Sequence, residues 1–489
     1  MLEFPISMRY LDLGVIVAYL LAITWFGAHF RSGQKSLRDY FLGGRSAPWW
    51  AIGLSIISAE TSTLTIVGTP GLAFNGNLGF LQIVFGYLLA RLVISAILLP
   101  QYFRGEMFTA YELMRRRFGE RTRKLSALIF LITRALAEGV RVFAISIVIS
   151  IVLHTGEIAS ILVIVALTLF YTFEGGMTAV IWTDAIQMAL YVVGAIVSFF
   201  VLLHDIPGGW AHVAEVAAPA GKFRIFDFDF SFTMQYFSRT YTFWAGLVGG
   251  CFLTTASHGT DQLIVQRLLS ARNESQSRAA LIGSWVVIFF QFVLFLLIGT
   301  GLYVYYGNQG LAAPARIDRI YPEFVWNSLP PGVAGLVTAA IVAAAMANLS
   351  AALNALASTT VMDFLRPLAG RGESESDSRL LGWARWATVG WAVVLVAIGI
   401  VARHWGSVLE SGLSIASITL GLLLGIFLLG VLTRRVGQNA ATCGVAAGLA
   451  VIVYVRAFTP IAWTWWVPIG SLTTFGAGYL ASWFQRQSA

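Results

Sequence analysis

Charged residues are scarce in this chain, making up 11% of its 489 residues, whereas hydrophobic residues make up 57%. Soluble proteins average about 25% charged residues and carry them on most helices. Apolar runs recur along the whole chain. The shortage of charge therefore excludes an ordinary soluble domain and predicts an all-α polytopic membrane protein.

Several motifs are absent from the sequence as well. The two cysteines, Cys251 and Cys443, both fall within apolar stretches and give no disulfide framework. The first residues lack the basic segment and the small-residue cleavage site of a signal peptide, so we expect the first apolar run to remain as a span. No nucleotide-binding glycine loop, catalytic metal pattern or nucleophile and base set occurs, which argues against an ATP-driven pump and against an enzyme.

Thirteen apolar stretches of about 20 residues are long enough to cross a bilayer. They lie near 9–30, 47–72, 77–101, 123–153, 158–174, 178–204, 241–264, 279–306, 332–362, 380–403, 407–431, 438–457 and 462–484. The connections between them are too short to fold alone, so we expect a single transmembrane domain over residues 1–489.

Cations cluster in alternate loops between these stretches, whereas loops such as 71–76 and 155–157 contain few. Because cytoplasmic loops carry an excess of Lys and Arg, we expect a cell-membrane protein with its N-terminus outside and its C-terminus in the cytoplasm. The same bias accounts for the net charge of +8, so no nucleic-acid partner is expected. The cation-rich loops contain Arg31, Lys35, Arg38 and Arg45; Arg104, Arg115, Arg116, Arg117, Arg121, Arg123 and Lys124; Arg267, Arg272 and Arg278; Arg366, Arg371 and Arg379; and Arg434 and Arg435.

The second apolar stretch contains a polar run, Ser58 to Thr65, followed by Gly68, Pro70 and Gly71. An acidic side chain near the bilayer centre costs roughly 2.5 to 3.5 kcal/mol, so we expect Glu60 to face a cavity, an ion or a polar partner. Glycine and proline just beyond predict a broken helix, whose freed carbonyl groups a cation can satisfy. The placement of this run indicates a transport site.

Three further segments combine polar residues with helix-breaking or small residues. They are Tyr171-Thr172-Phe173-Glu174-Gly175-Gly176-Met177-Thr178-Ala179 with Trp182-Thr183-Asp184-Ala185-Ile186-Gln187; Thr260-Asp261-Gln262-Leu263-Ile264-Val265-Gln266-Arg267 with Leu269-Ser270-Ala271-Arg272; and Asn354-Ala355-Leu356-Ala357 with Met362-Asp363. Together with the polar run, they resemble the motifs of the sodium:solute symporter family and stand in that family's order. Thirteen spans with an outside N-terminus also fit the family's plan.

The resemblance implies a leucine-transporter-type fold, in which two inverted five-helix repeats bind solute and ion near the midplane beside broken helices. The repeats would span 47–204 and 241–431, with one extra helix at 9–30 and two at 438–484. The resemblance also implies a secondary active symporter, in which inward sodium flow drives uptake of a small organic solute by alternating access. Sodium is then the coupling ion, and no other cofactor is expected.

The family's sodium site combines backbone carbonyl groups with two hydroxyl groups, a donor set that suits a hard cation. The matching positions are two on the first core helix and three on the eighth: Ser58, Thr61, Ala344, Ala347 and Asn348. Ala347 replaces one hydroxyl and Asn348 the other. We therefore expect a weakened sodium site, to which Asn348 lends an amide oxygen and nearby Glu60 lends charge.

Some relatives have a second ion position that pairs an aspartate with serines. Asp184 and Ser350 match this position, but Ala351 does not, so a complete second site is not expected. The alternative for Asp184 is a salt bridge near the cytoplasmic ends of the helices. Intramembrane acids usually lie on ion paths or in paired networks, so both interpretations stay open.

Arg134, Glu138 and Arg141 recur at spacings of four and three, which places them on one helix face. One interpretation is an internal ion-pair network in which Glu138 neutralises one arginine. The other is that the unbalanced arginine holds a carboxylate bidentately and selects an anionic or zwitterionic solute.

Sugar-transporting members of the family use polar ligands where this chain has Thr65, Tyr87, Ile288 and Leu413, so we expect no hexose in the same pose. Polar side chains near the expected cavity remain as candidates for solute binding. They are Thr65, Tyr87, Ser257, His258, Asp261, Ser414 and Ser417, besides Arg134 and Arg141.

Two other functions are open alongside sodium symport. A transporter of the same fold can couple to protons through Glu60, or run uncoupled, because Ala347 removes a hydroxyl. A membrane solute sensor is the second alternative, although it would normally need a cytoplasmic signalling domain. As partners we expect a small organic solute, sodium and the lipid bilayer, with no obligatory protein partner.

Overall fold

The computed structural model describes residues 6–29, 45, 47–104, 110–171, 177–365 and 377–484. These residues form helices joined by turns and irregular connections, and no β-strand occurs among them. The predicted all-α class is confirmed. Residues 172–176 of the motif that begins at Tyr171, most of the first cation-rich loop, and residues 366–376 lie outside the described residues.

Twenty α-helices follow one another along the described chain. The first ten are α1 (Ile6–His29), α2 (Trp49–Glu60), α3 (Thr63–Asn75), α4 (Leu81–Val93), α5 (Leu99–Tyr102), α6 (Ala110–Phe118), α7 (Glu120–Leu153), α8 (Glu157–Tyr171), α9 (Met177–Asp205) and α10 (Gly209–Ala217). The others are α11 (Met234–Phe237), α12 (Gly250–Gly259), α13 (Gln262–Leu269), α14 (Glu274–Asn308), α15 (Ile320–Ser328), α16 (Val333–Thr359), α17 (Asp377–Ala402), α18 (Val408–Leu432), α19 (Gln438–Phe458) and α20 (Trp466–Phe484).

Nine helical segments of the described chain are each long and apolar enough to cross a membrane. Helices α2 and α3, which meet at an angle of 63°, make a tenth when the pair is counted as one broken span. Helices also lie at the other predicted stretches, but α8 is short, α12 and α13 are interrupted, and α20 is rich in Gly, Ser and Thr. The multi-pass architecture is confirmed, while the count of thirteen spans stays a prediction.

The predicted break in the first core helix lies at Thr61 and Ser62, between α2 and α3. Pro70 does not end α3, because it lies inside that helix. Its carbonyl oxygen instead faces Gly299 of α14, where a Cβ atom would come within 2.1 Å. A glycine at this position permits the two helices to approach closely, as small residues do at membrane helix interfaces.

The broken helices lie in the interior of the bundle. Helices α2 and α3 pack on α14, α12 packs on α4, and α7 packs on both α16 and α18. The first helix is tied to α16 by Asp12, which is fully buried. Its Oδ1 accepts hydrogen bonds from the amides of Gly332 at 2.7 Å and Gly335 at 2.8 Å, so it satisfies donors at the start of α16.

Candidate functional site

A cavity of about 190 Å³ lies where both interrupted helices meet α7 and α18. Its wall contains residues on each side of the two breaks, and aromatic side chains such as Phe80 and Phe292 cover part of it. The predicted residues that line this cavity are Glu60, Thr65, Tyr87, Arg134, Arg141, Ser257, His258, Asp261 and Asn348.

The structure does not bring Ser414 and Ser417 to this wall. Their hydroxyl groups donate to carbonyl oxygens of their own helix, Ser414 to Ser411 at 3.0 Å and Ser417 to Leu413 at 2.7 Å. The wall at this part of α18 is formed instead by Leu413 and its apolar neighbours. Sequence position alone did not reveal which face of α18 lines the cavity.

Because the helix is broken between α2 and α3, the carbonyl oxygens of Ser58 and Thr61 lack the hydrogen-bond donors that a continuous helix would give them. In a continuous helix these oxygens would accept from the amides four residues ahead. Here the Ser62 amide donates to the Glu60 carbonyl at 2.9 Å, and the Thr65 amide donates to the Ser62 carbonyl at 2.9 Å. Both amides are engaged elsewhere, so the two carbonyl oxygens are available to a cation.

The predicted positions of the eighth core helix lie on α16. Ala344 is buried, whereas Ala347, Asn348 and Ser350 are partly exposed. Asn348 lines both the main cavity and an adjoining void of about 10 Å³, which Ser62 also lines. The amide side chain of α16 therefore lies at the break in the first core helix.

Asp184 lies in a buried cluster with Ser55 and Arg267. Its Oδ2 accepts from the Ser55 hydroxyl at 2.6 Å and from Arg267 Nη2 at 2.9 Å, and Arg267 Nε donates to the Ser55 hydroxyl at 2.8 Å. The side chains of Asp184 and Arg267 are only 7% and 6% exposed. This geometry matches the salt-bridge interpretation of Asp184, and no hydrogen bond between Asp184 and Ser350 is found among the described residues.

The three charged residues of α7 form an ion-pair network, as in one of the two interpretations of their spacing. Glu138 is fully buried, and its Oε1 lies 3.0 Å from Arg134 Nη2 and also pairs with Arg141 Nη1. Arg134 Nη1 lies 3.9 Å from Asp261 Oδ2, at the break between α12 and α13. Both arginines line the cavity, whereas Glu138 lies behind them, on the wall of the adjoining void.

Glu60 is held by Arg91, a residue that the sequence reasoning missed. Arg91 is fully buried in α4, and its Nη2 lies 2.5 Å from Glu60 Oε2. His258 Nε2 lies 3.2 Å from the same oxygen, and His258 Nδ1 lies 2.9 Å from the Ser257 hydroxyl. An arginine inside an apolar stretch was the available signal, because charges within spans mark paired or functional sites.

Separating the Asp184–Arg267 pair should destabilise the protein strongly. We expect Asp184→Asn or Arg267→Gln to lower the free energy of unfolding by about 3 to 5 kcal/mol, because the remaining charge stays buried. Denaturation of the purified protein, arranged as a double-mutant cycle, measures this coupling.

The exposed pair Glu274–Arg278, with side chains 36% and 46% exposed, provides the control. The same cycle should give it a coupling below about 1 kcal/mol. A stable Asp184→Asn protein with a raised sodium requirement would contradict the salt-bridge interpretation and support an ion path.

Comparisons with known proteins identify the family and the fold. The model of the sodium:solute symporter family matches residues 40–448. The chain is 27% identical to the sodium/sialic acid symporter NanT of Aliivibrio fischeri, covering 96% of this chain and 92% of the relative. It is also 27% identical to the human sodium-coupled monocarboxylate transporter 2, covering 94% and 75%. The solved substrate-bound outward-open state of a Na⁺-coupled sialic acid symporter has a TM-score of 0.82 at 24% identity, covering 97% of this chain and 98% of that one. The predicted transporter fold is thereby confirmed, and the chain belongs to the sodium:solute symporter family, whose members are sodium-coupled membrane transporters rather than enzymes.

Proposed function

We propose that the protein couples inward sodium flow to uptake of a small organic solute that carries a carboxylate. The observation that carries this proposal is the ratio of charges on α7, where Arg134 and Arg141 share one oxygen of Glu138. The Nε atoms of both arginines are buried and have no partner among the described residues. Asp261 is too distant from Arg134 for a hydrogen bond, at 3.9 Å.

Asp261 supplies a second negative charge near Arg134, but a carboxylate in the cavity would supply the close hydrogen-bond acceptors that the two arginines lack. Arginine suits this task because its planar fork holds a carboxylate through two parallel hydrogen bonds. The relatives support the same chemistry, since one is a sialic acid symporter and another a monocarboxylate transporter. Arg134 is the proposed anchor, and Arg141 lies about two helical turns away on the same face.

Sodium is proposed to bind between the α2–α3 break and α16. Its donors would be the carbonyl oxygens of Ser58 and Thr61, the carbonyl of Ala344 and the side chain of Asn348. Binding there would join α16 to the first core helix, and the ion promotes uptake only to the extent that it binds the solute-competent state better. Rocking of the two proposed repeats, 47–204 and 241–431, would then release ion and solute inside.

Proton coupling through Glu60 is less favoured. Arg91 is fully buried, so protonating Glu60 would leave a guanidinium group without a counter-ion inside the protein. Such uncompensated buried charges cost several kcal/mol, on the order of 3 to 5. The pairing therefore argues for a carboxylate that stays ionised through the transport cycle.

The proposed orientation places the N-terminus outside the cell membrane and the C-terminus in the cytoplasm, with no obligatory protein partner. Ser231 then lies outside and Ser275 inside, and both residues are exposed. After replacement of Cys251 and Cys443 by serine, Ser231→Cys should react with a membrane-impermeant maleimide in intact cells. Ser275→Cys should react only after the membrane is opened, and the reverse pattern would invert the proposed topology.

Replacing Arg134 tests the carboxylate anchor. We expect Arg134→Gln to weaken uptake of the transported acid into proteoliposomes by roughly 10- to 100-fold, because it removes charge-assisted hydrogen bonds. The control is Arg121→Gln, an exposed arginine at the start of the same helix, which should leave uptake unchanged. Equal uptake by both variants would contradict the anchor.

Restoring the missing hydroxyl group tests the sodium site. We expect Ala347→Ser to lower the sodium concentration that gives half-maximal uptake, and Asn348→Ala to raise it, each by roughly three- to tenfold for one added or lost ligand of about 1 kcal/mol. Ala352→Ser, at a buried position of the same helix, is the matched control. Uptake that does not respond to sodium in any of these proteins would exclude sodium coupling.

A further inference from the structure

Glu60 uses only one of its two carboxylate oxygens. Oε2 lies within hydrogen-bond distance of Arg91 Nη2, at 2.5 Å, and of His258 Nε2, at 3.2 Å. Oε1 is buried and has no hydrogen-bond partner among the described residues. Glu60 lines the transport cavity, so this acceptor without a partner belongs to the cavity wall, although the oxygen itself has almost no accessible surface.

The orientation of this carboxylate is fixed from behind. Arg91 Nε donates to the Leu281 carbonyl at 3.1 Å and Nη1 donates to the Tyr87 carbonyl at 3.2 Å, and the arginine has no exposed surface. Ser257 holds the ring of His258 from the other side. Neither partner can turn to reach Oε1 without giving up these bonds, so Glu60 is positioned before any solute arrives.

An unsatisfied buried acceptor needs an explanation, because leaving it without a partner costs free energy. A purely structural salt bridge with Arg91 would satisfy Oε2 and account for nothing at Oε1. The cavity offers the remaining place for a donor, and its other charged lining residues are Arg134 and Arg141 of α7, Asp261 and Arg267. The cavity therefore combines arginine donors with a carboxylate oxygen that can accept a hydrogen bond.

We propose that Glu60 Oε1 accepts a hydrogen bond from a hydroxyl or ammonium group of the solute while Arg134 holds its carboxylate. The solute class is then the small hydroxy acids or amino acids, rather than acids with a purely apolar tail. This inference rests on the proposed function, since it takes the carboxylate at Arg134 as given. Glu60 becomes a residue that determines specificity within the carboxylates.

Four three-carbon acids of nearly equal size test the proposal. Lactate and alanine carry a donor beside the carboxylate, pyruvate carries only an acceptor there, and propionate carries neither. The same four acids with a phenyl group on the third carbon extend the test to a larger solute. In sodium-driven uptake by proteoliposomes, we expect lactate or alanine to be preferred at least tenfold over pyruvate and propionate, or the corresponding phenyl analogue over the two analogues without a donor.

Variants of Glu60 then separate recognition from a structural role. Glu60→Gln can point its amide oxygen at Arg91 and its NH₂ group at the cavity. The preference for the best-carried acid with a donor over the matching keto acid should therefore fall at least tenfold. Glu60→Asp keeps the charge and withdraws it by one methylene group, which should move the same ratio towards one. Glu215→Gln, whose parent side chain is 81% exposed, is the control and should leave the ratio unchanged.

Ratios within one protein do not depend on how much of a variant folds, so a loss of stability through Arg91 does not obscure the result. If both Glu60 variants lower uptake of all acids by the same factor, Glu60 has only a structural role and the inference is wrong. The inference is also wrong if the wild-type protein does not prefer acids that carry a hydrogen-bond donor, and this test needs neither variant. Failure of the proposed function has a different signature: no acid of either set is carried, or uptake is indifferent to Arg134→Gln.

Discussion

The polar cavity of this bundle depends on buried arginines, each of which must be paired with an acid. A guanidinium group does not lose its proton in proteins, so each one inside a span requires an acid close by. Glu60 on α2 supplies it for Arg91 on α4, and Asp184 on α9 supplies it for Arg267 on α13. Both pairs join separate helices beside the cavity, so the position of its walls depends on charge pairing as well as on apolar packing.

The break in the first core helix can couple binding of the ion to binding of the solute. The carbonyl oxygens of Ser58 and Thr61 are released from helical pairing, and the Glu60 side chain lies between them in sequence. A ligand that orders the backbone here also orders the carboxylate, and the reverse holds by linkage. Thr61 is further fixed to α14, because its hydroxyl donates to Gln291 Oε1 at 3.0 Å. Ion and solute would thus meet at one short stretch of chain.

Much of the architecture could be predicted from the sequence, because hydropathy locates helices in a bilayer and Gly, Pro and hydroxyl groups mark where one breaks. The α7 ion-pair network was also predictable, since Arg134, Glu138 and Arg141 are neighbours on one helix. Pairing between helices was not. Arg91 and Glu60 are separated by a turn and a second helix. The hydrophobic periodicity of the sequence does not determine which faces of α2 and α4 meet. The same limit applied to Ser417, whose helix is inside the bundle but whose hydroxyl bonds its own backbone.

The hydrogen bonds of Asp12 connect α1 to the start of α16. Moving the start of α16 away from α1 would expose two amide donors, at Gly332 and Gly335, at a cost of about 1 to 3 kcal/mol each. The rest of the bundle covers little of α1, because only 17% of its apolar segment Arg9–Phe26 is buried. A displacement of α16 that keeps these two hydrogen bonds therefore carries α1 with it, so the membrane around α1 would resist movement of the helix proposed to hold the cation.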